Sequence, residues 1–266
     1  MKKVILRVTQ VVLILYILCC GLFYNFQEKL VFAPEKLDRD YQFSFNQPFE
    51  EININTTDGF ALNGLLFTAD SSKGLLFYLH GNAGSLSSWG EVAEVYTDLN
   101  YDVFILDYRG YGKSEGSISS QKQLYQDIQR AYDELTKKYA EENTIVLGYS
   151  IGSGPAAHLA STNHPKSLIL QAPYFNLTDL LQRMSPIAPT FLLKYKFATN
   201  QYIQDCKMPV VLLHGDQDAL ISYESSLKLK ELFKPHDTLI TLKGLGHNGI
   251  TYTDIYKTEI AKILRK

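Results

Sequence analysis

From residue 101 to residue 243 the chain repeats one unit: a short run of nearly unbroken Val, Ile and Leu, then a loop, then a longer stretch with helical spacing. The runs are YDVFILDY, NTIVLGYS, KSLILQA, MPVVLLHG and DTLITLK. A strand that is apolar at every position must be covered on both faces, which is the condition of a parallel sheet with helices on either side. The spacing predicts helices near 86–98, 121–140, 151–163, 222–234 and 252–264. Ahead of these units EEININ alternates with period two, TTDG turns, and FALNGLLFT forms the return strand of an antiparallel hairpin; DSSKG then leads into a further apolar strand, LLFYLH. The expected fold is therefore a doubly wound, mostly parallel α/β sheet. In such sheets the chemistry gathers just beyond the carboxyl ends of the strands. One interval breaks the rhythm. Residues 174–207, rich in Pro and aromatics, are longer than an ordinary connection, and about 174–206 are expected to form a small helical lid over the site.

The N-terminus obeys a different rule. MKK leads through VILRVTQ into an unbroken apolar run from Val11 to Tyr24, too long and too apolar for the buried stripe of a surface helix. Val4 to Phe26 supplies the roughly 20 residues that a bilayer span needs, provided that Arg7 reaches toward the headgroups. Residues 1–26 are thus expected to be a membrane anchor, with the main domain over 27–266 and a connector at its start. Lys2, Lys3 and Arg7 precede the span, while the acids and lysines just after it nearly cancel. That pattern puts the N-terminus in the cytoplasm and the domain on the far side of the membrane. A cleaved signal peptide, leaving a secreted or periplasmic domain, is the alternative. The LCCGL stretch fits a small-residue cleavage site poorly and favours the uncleaved anchor.

Charge excludes one class of partner. With 26 Lys and Arg scattered among 28 Asp and Glu, the net charge is -2 and no basic face is concentrated enough to neutralise nucleic-acid phosphates. The cysteines, Cys19, Cys20 and Cys206, have neither the number nor the spacing of a disulfide framework or a zinc site; no metal and no cofactor is expected. Cys19 and Cys20 lie in the apolar run as packing residues, acylation of one being the alternative.

The stretch GYSIGSG, residues 148–154, carries the candidate chemistry because it joins an apolar strand to a helix. Gly148, Ser150 and Gly152 form GxSxG, the pattern of a turn tight enough to expose a serine hydroxyl at the start of a helix. A nucleophilic serine needs a base, and the base needs an acid to orient it. LLHGDQDALIS offers Asp216 and Asp218 beyond one strand, and LKGLGHNG offers His247 in the loop after the last. Asp218 is the expected acid, since a residue a few positions past the strand end lies over the sheet edge; Asp216 is expected to cap the turn. His80 and His214 end strands and are expected to shape loops, whereas His158 sits within a helix and His164 and His236 sit in connectors. The glycine-rich LHGNAGS lacks the Lys-Ser/Thr ending of a phosphate loop and the spacing of a dinucleotide fingerprint.

Taken together, LHGNAGS, LDYRGYGKSEG, GYSIGSGPAA, LLHGDQDALIS and GLGHNG, over residues 27 to 264, resemble the α/β-hydrolase fold. Among its members they resemble the membrane-anchored, small-lidded serine hydrolases of the ABHD type. The resemblance implies an eight-stranded sheet and a Ser-His-Asp triad of Ser150 (nucleophile), His247 (general base) and Asp218 (orienting acid). It makes the backbone N–H groups of Asn82 and Ile151 the oxyanion donors. It makes Asp107 and Arg109 scaffold rather than catalyst. Relatives with Asp at the elbow are dehalogenases or epoxide hydrolases, and Ser150 sets this chain apart from them. The implied activity is hydrolysis of a carboxylic ester or thioester, on a small acyl substrate, a lipid or an acylated protein. A peptidase of the same fold and a catalytically silent, membrane-anchored binding protein are the alternatives. The lid segment SPIAPTFLLKYKF is expected to supply an apolar wall for an acyl chain or a contact with the bilayer.

Overall fold

A computed structural model describes residues 1–265 of the chain. Its centre is one eight-stranded sheet of β1 (Phe49–Asn55), β2 (Ala61–Phe67), β3 (Leu75–Leu79), β4 (Asp102–Leu106), β5 (Thr144–Tyr149), β6 (Ser167–Gln171), β7 (Val210–Gly215) and β8 (Thr238–Leu242). The spatial order is β8-β7-β6-β5-β3-β4-β2-β1. Strands β1 and β2 pair antiparallel, as the hairpin pattern predicts, and β2 joins β4 antiparallel; all the remaining pairs are parallel. This is the α/β-hydrolase fold.

The helices are α1 (Lys2–Val31), α2 (Leu86–Trp89), α3 (Ala93–Thr97), α4 (Gln121–Thr136), α5 (Ser153–Thr162), α6 (Leu177–Met184), α7 (Thr199–Asp205), α8 (Glu224–Lys230) and α9 (Asp254–Leu264). Alternation within the strands decides which helices cover which face. Leu75, Phe77 and Leu79 of β3 point into one apolar layer with Leu124 and Ile128 of α4 and Leu159 of α5. Leu76 and Tyr78 point the other way, toward Tyr96 of α3 and Tyr256 and Ile260 of α9. Both faces of the central strands are fully buried, which is why the sequence shows continuous apolar runs there. The predicted helix over 86–98 is broken into α2 and α3 by a 3₁₀ turn at Gly90–Val92, where Phe45 packs so closely that a β-carbon on Gly90 would lie 2.2 Å from its ring.

Two segments set the surroundings of the site. Between β6 and β7 the chain inserts α6, a 3₁₀ turn at Thr190–Leu192 and α7. The N-terminal helix outlasts the apolar stretch: it runs unbroken through the polar residues after Phe26 to Val31. Gln27 explains the extension. It is fully buried, donates to the Leu192 carbonyl at 3.1 Å and accepts the Lys194 N–H at 2.7 Å. Lys194 also pairs with Glu28 at 3.0 Å, so helix propagation is held by tertiary contacts where hydropathy falls. Farther toward its N-terminus α1 stands clear of the domain, long and apolar enough to cross a membrane.

Candidate active site

The elbow begins where β5 ends at Tyr149, and a 3₁₀ turn over Ser150–Gly152 delivers the chain into α5. Ser150 holds φ at 54°, a left-handed conformation that costs a non-glycine residue on the order of 1–3 kcal/mol and persists only when the neighbours dictate it. The flanking glycines show why. A β-carbon on Gly148 would lie 2.5 Å from the Ala156 methyl, and one on Gly152 would lie 2.2 Å from the Leu79 carbonyl oxygen. Strand, turn and helix are packed so tightly that only glycine fits on either side of the serine.

Three chain segments converge on its hydroxyl. His247, in the loop after β8, places Nε2 3.0 Å from Ser150 Oγ. Its Nδ1 lies 2.6 Å from Asp218 Oδ2. The other oxygen of Asp218 accepts the backbone N–H groups of Leu220 and Ile221 at 2.9 and 2.8 Å, which fixes the carboxylate plane. Asp216 is elsewhere: its carboxylate accepts the Gly244 N–H at 2.7 Å and ties the two loops together. Burial pushes the Asp218 carboxyl up, but hydrogen bonds from His214 and His247, the His247 charge and the Ile221 N–H outweigh it. The net effect holds the group well below the usual carboxylate range.

His214 goes beyond its predicted loop-shaping part. It is fully buried at the end of β7, with Nε2 3.1 Å from Asp218 Oδ2 and 2.9 Å from the Ile221 carbonyl. Both partners only accept, so Nε2 carries the proton, and Nδ1 accepts from the Ser226 hydroxyl at 2.7 Å. A second contact that sequence reasoning missed is Tyr149, whose hydroxyl donates to the His247 carbonyl at 2.6 Å and whose ring stacks on that imidazole at 5.5 Å. A tyrosine in an apolar strand carries no sign of such a partner 98 residues away. His80 bonds the Gly81 carbonyl and stacks on Trp89, and His158 stacks on Tyr125 at 3.8 Å. Arg109 is buried against Asp127 and Asp58, with each carboxylate accepting two of its N–H groups, and Asp107 accepts the Leu86 N–H at the start of α2.

Ser150, Asn82 and Ile151 share the floor of one cavity of about 400 Å³. Among the described residues neither the Asn82 nor the Ile151 N–H has an acceptor. The Asn82 carbonyl, by contrast, is held by the Ala33 N–H at 2.9 Å and the Tyr111 hydroxyl at 2.6 Å, which fixes that loop. Leu177, Leu181, Met184 and Leu193 of the β6–β7 insertion form one wall, and Phe23, Leu30 and Val31 of α1 form another. Such a cavity can bury a hydrocarbon chain while one polar end meets the serine.

Residues 70–202 match a hydrolase family model described as serine aminopeptidase, S33. The α/β hydrolase domain-containing protein 17B of Xenopus laevis is 32% identical over 186 residues, which cover 68% of this chain and 62% of that protein. The chain therefore spans less than two thirds of this relative's length. Protein bem46 of Schizosaccharomyces pombe is 29% identical over 224 residues, covering 77% of this chain and 74% of the yeast protein. In fold, an esterase of Pyrococcus furiosus superposes with a TM-score of 0.71 at 19% identity, over 88% of this chain and 97% of its own. Est1E of Butyrivibrio proteoclasticus, solved with ferulic acid bound, gives 0.64 at 19% identity, over 80% and 96%.

Proposed function

The chain belongs to the α/β-hydrolase family, ABHD type, and from that membership we propose that it cleaves carboxylic ester or thioester bonds through an acyl-enzyme on Ser150. The single observation that carries this reading is the hydrogen-bonded line Ser150–His247–Asp218, at 3.0 and 2.6 Å, set at a strained elbow under an apolar cavity. His247 Nε2 takes the proton of Ser150 Oγ as that oxygen bonds to the acyl carbon. The Asn82 and Ile151 N–H groups hold the oxyanion, and Asp218 keeps the imidazole in the tautomer that can accept. The bond to the leaving oxygen or sulfur then breaks and His247 returns its proton to that atom. Water, deprotonated by the same imidazole, releases the acid and restores the serine. The β6–β7 insertion acts as the lid of the acyl site, and α1 acts as a single-pass membrane anchor with the domain on the non-cytoplasmic side.

The family description names an aminopeptidase, which makes a peptidase the second reading. Recognition of a peptide amino terminus calls for a carboxylate beside the nucleophile, and among the described residues lining the cavity none is charged. The favoured substrate is therefore an acyl ester or thioester rather than a peptide. Turnover of p-nitrophenyl acyl esters, acyl thioesters and aminoacyl amides by wild type and Ser150→Ala tests both readings. Ester or thioester turnover lost in Ser150→Ala is expected, together with fluorophosphonate labelling of Ser150. Unchanged ester hydrolysis in Ser150→Ala removes the acyl-enzyme, and turnover of the amides alone moves the reading to the peptidase.

A further inference from the structure

The anchor helix does more than tether the domain. A helix that served only to hold a protein at a membrane could end at the bilayer surface and pass into a loose linker. Here α1 continues for five residues past Phe26, and its far end is fixed on two sides: by Gln27 and Glu28 to the lid, and through Ala33 to the carbonyl of Asn82. Phe32 packs edge-on against Tyr195 at 5.2 Å and completes the joint. The cavity that holds Ser150 is bounded on this side by Phe23, Leu30 and Val31. Phe23 lies within the apolar stretch Val4–Phe26, whereas Leu30 and Val31 lie beyond it, and at 1.5 Å per residue the three span roughly 12 Å along the helix axis. The cavity thus extends from the nucleophile down to the last apolar rows of the membrane helix, with apolar walls throughout.

We propose that α1 is a working wall of the acyl site, so that Phe23, Leu30 and Val31 set which hydrocarbon chains the protein accepts. The chain of a membrane-resident ester or thioester slides along α1 from the leaflet into the cavity, and its carbonyl reaches Ser150 without the chain passing through water. This rests on the acyl-hydrolase reading above. It adds that chain-length selection resides partly in the helix that crosses the membrane, not in the globular domain alone.

The test uses the full chain in nanodiscs and p-nitrophenyl esters from four to sixteen carbons. Leu30→Trp adds bulk at the open rim of the cavity, where Leu30 is 68% exposed, and is expected to lower the ratio of long-chain to short-chain kcat/KM at least about tenfold. Ile14→Trp, on the same helix but away from the cavity, is expected to leave that ratio as in wild type. Since a bulky residue could disturb the helix joint, the wild-type protein is also labelled with a fluorophosphonate whose long alkyl chain carries a terminal diazirine. Photolysis is expected to crosslink the chain to peptides containing residues 23–31 as well as to the lid. Labelling at Ser150 with crosslinks confined to the domain, together with an unaltered ratio in Leu30→Trp, overturns the helix wall and leaves the acyl-hydrolase reading standing. Full ester turnover by Ser150→Ala, or probe attachment at another residue, overturns both.

Discussion

Asp218 is shared by two imidazoles that have different duties. Its Oδ2 meets His247 Nδ1 at 2.6 Å and His214 Nε2 at 3.1 Å, while Oδ1 is occupied by two backbone N–H groups. Four donors on one carboxylate keep it ionised and fix its orientation, and on the proposed mechanism this makes His214 a positioning residue acting through Asp218. Asp218→Asn presents an amide that favours the wrong tautomer of His247, and a kcat loss of about 10⁴-fold is expected with KM little changed. His214→Phe removes one charge-assisted hydrogen bond and leaves the Ile221 carbonyl without its donor, for which a kcat loss of about 10- to 100-fold is expected. His214→Gln, which keeps a donor, is expected to recover part of that loss and to restore the wild-type pH–rate profile. Equal kcat and pH profile in all three proteins would show that His214 only fills space. That Ser150, His247 and Asp218 come together was legible in the sequence because each is a reactive residue type placed just past a strand end. The part played by His214 was not: its ring and the carboxylate are four residues apart on a turn whose shape no spacing rule encodes.

The elbow and the end of α1 show how far the elements themselves could be read. GxSxG between an apolar run and a helix carried enough information to place the turn, since the glycines answer a steric demand that is local in sequence. Gly152→Ala drives a methyl to 2.2 Å from the Leu79 carbonyl, a backbone atom of a central strand that cannot step aside. A loss of at least about 1–3 kcal/mol is expected by urea denaturation, with Ser150 labelling by fluorophosphonate lost in the fraction that still folds. The end of α1, five residues past the apolar stretch, could not be read for the opposite reason. Hydropathy marks where a helix leaves the bilayer, whereas the helix here ends where its contacts with the lid end. Gln27→Ala strands the Leu192 carbonyl and the Lys194 N–H in a buried joint and is expected to cost about 1–3 kcal/mol locally. Faster proteolysis within residues 185–196, with global unfolding unmoved, is the expected signature. His158, on α5, tests packing through pH. Burial lowers its pKa, so the unfolded chain binds a proton more readily than the folded one. Stability is then full above the unfolded value of about 6.5 and falls as pH drops through that value toward the lowered folded one. His158→Gln is expected to flatten that slope in denaturation curves collected from neutral pH downward.

At the scale of the whole molecule, the sheet, the hairpin and both helical layers followed from strand periodicity, because buried strands and their covering helices write their environment directly into composition. The relation between α1 and the cavity could not be read that way, since it joins residues 23–31 to residues 177–193 through packing and the Gln27–Leu192 hydrogen bond. The proposed orientation across a membrane rests on a narrow margin. Lys2, Lys3 and Arg7 flank one end of the apolar stretch, and Lys29, Lys36 and Arg39 flank the other, an even count of Lys and Arg. One of the distal cations is also engaged in the folded domain, Arg39 with Glu115. The proposed placement of the domain on the non-cytoplasmic side is therefore expected to be sensitive to small changes at the N-terminus. Lys262, well exposed on α9, provides a reporter site. Cys206 is buried and Cys19 and Cys20 lie inside the apolar stretch, so a Lys262→Cys protein offers one domain thiol to a membrane-impermeant maleimide. In sealed cells it is expected to label without permeabilisation, and adding Lys2→Gln and Lys3→Gln is expected to divert a measurable fraction to the protected side. Labelling that appears only after permeabilisation would place the domain in the cytoplasm, and labelling untouched by the double substitution would mean that folding and export of the domain, not flanking charge, decide its side.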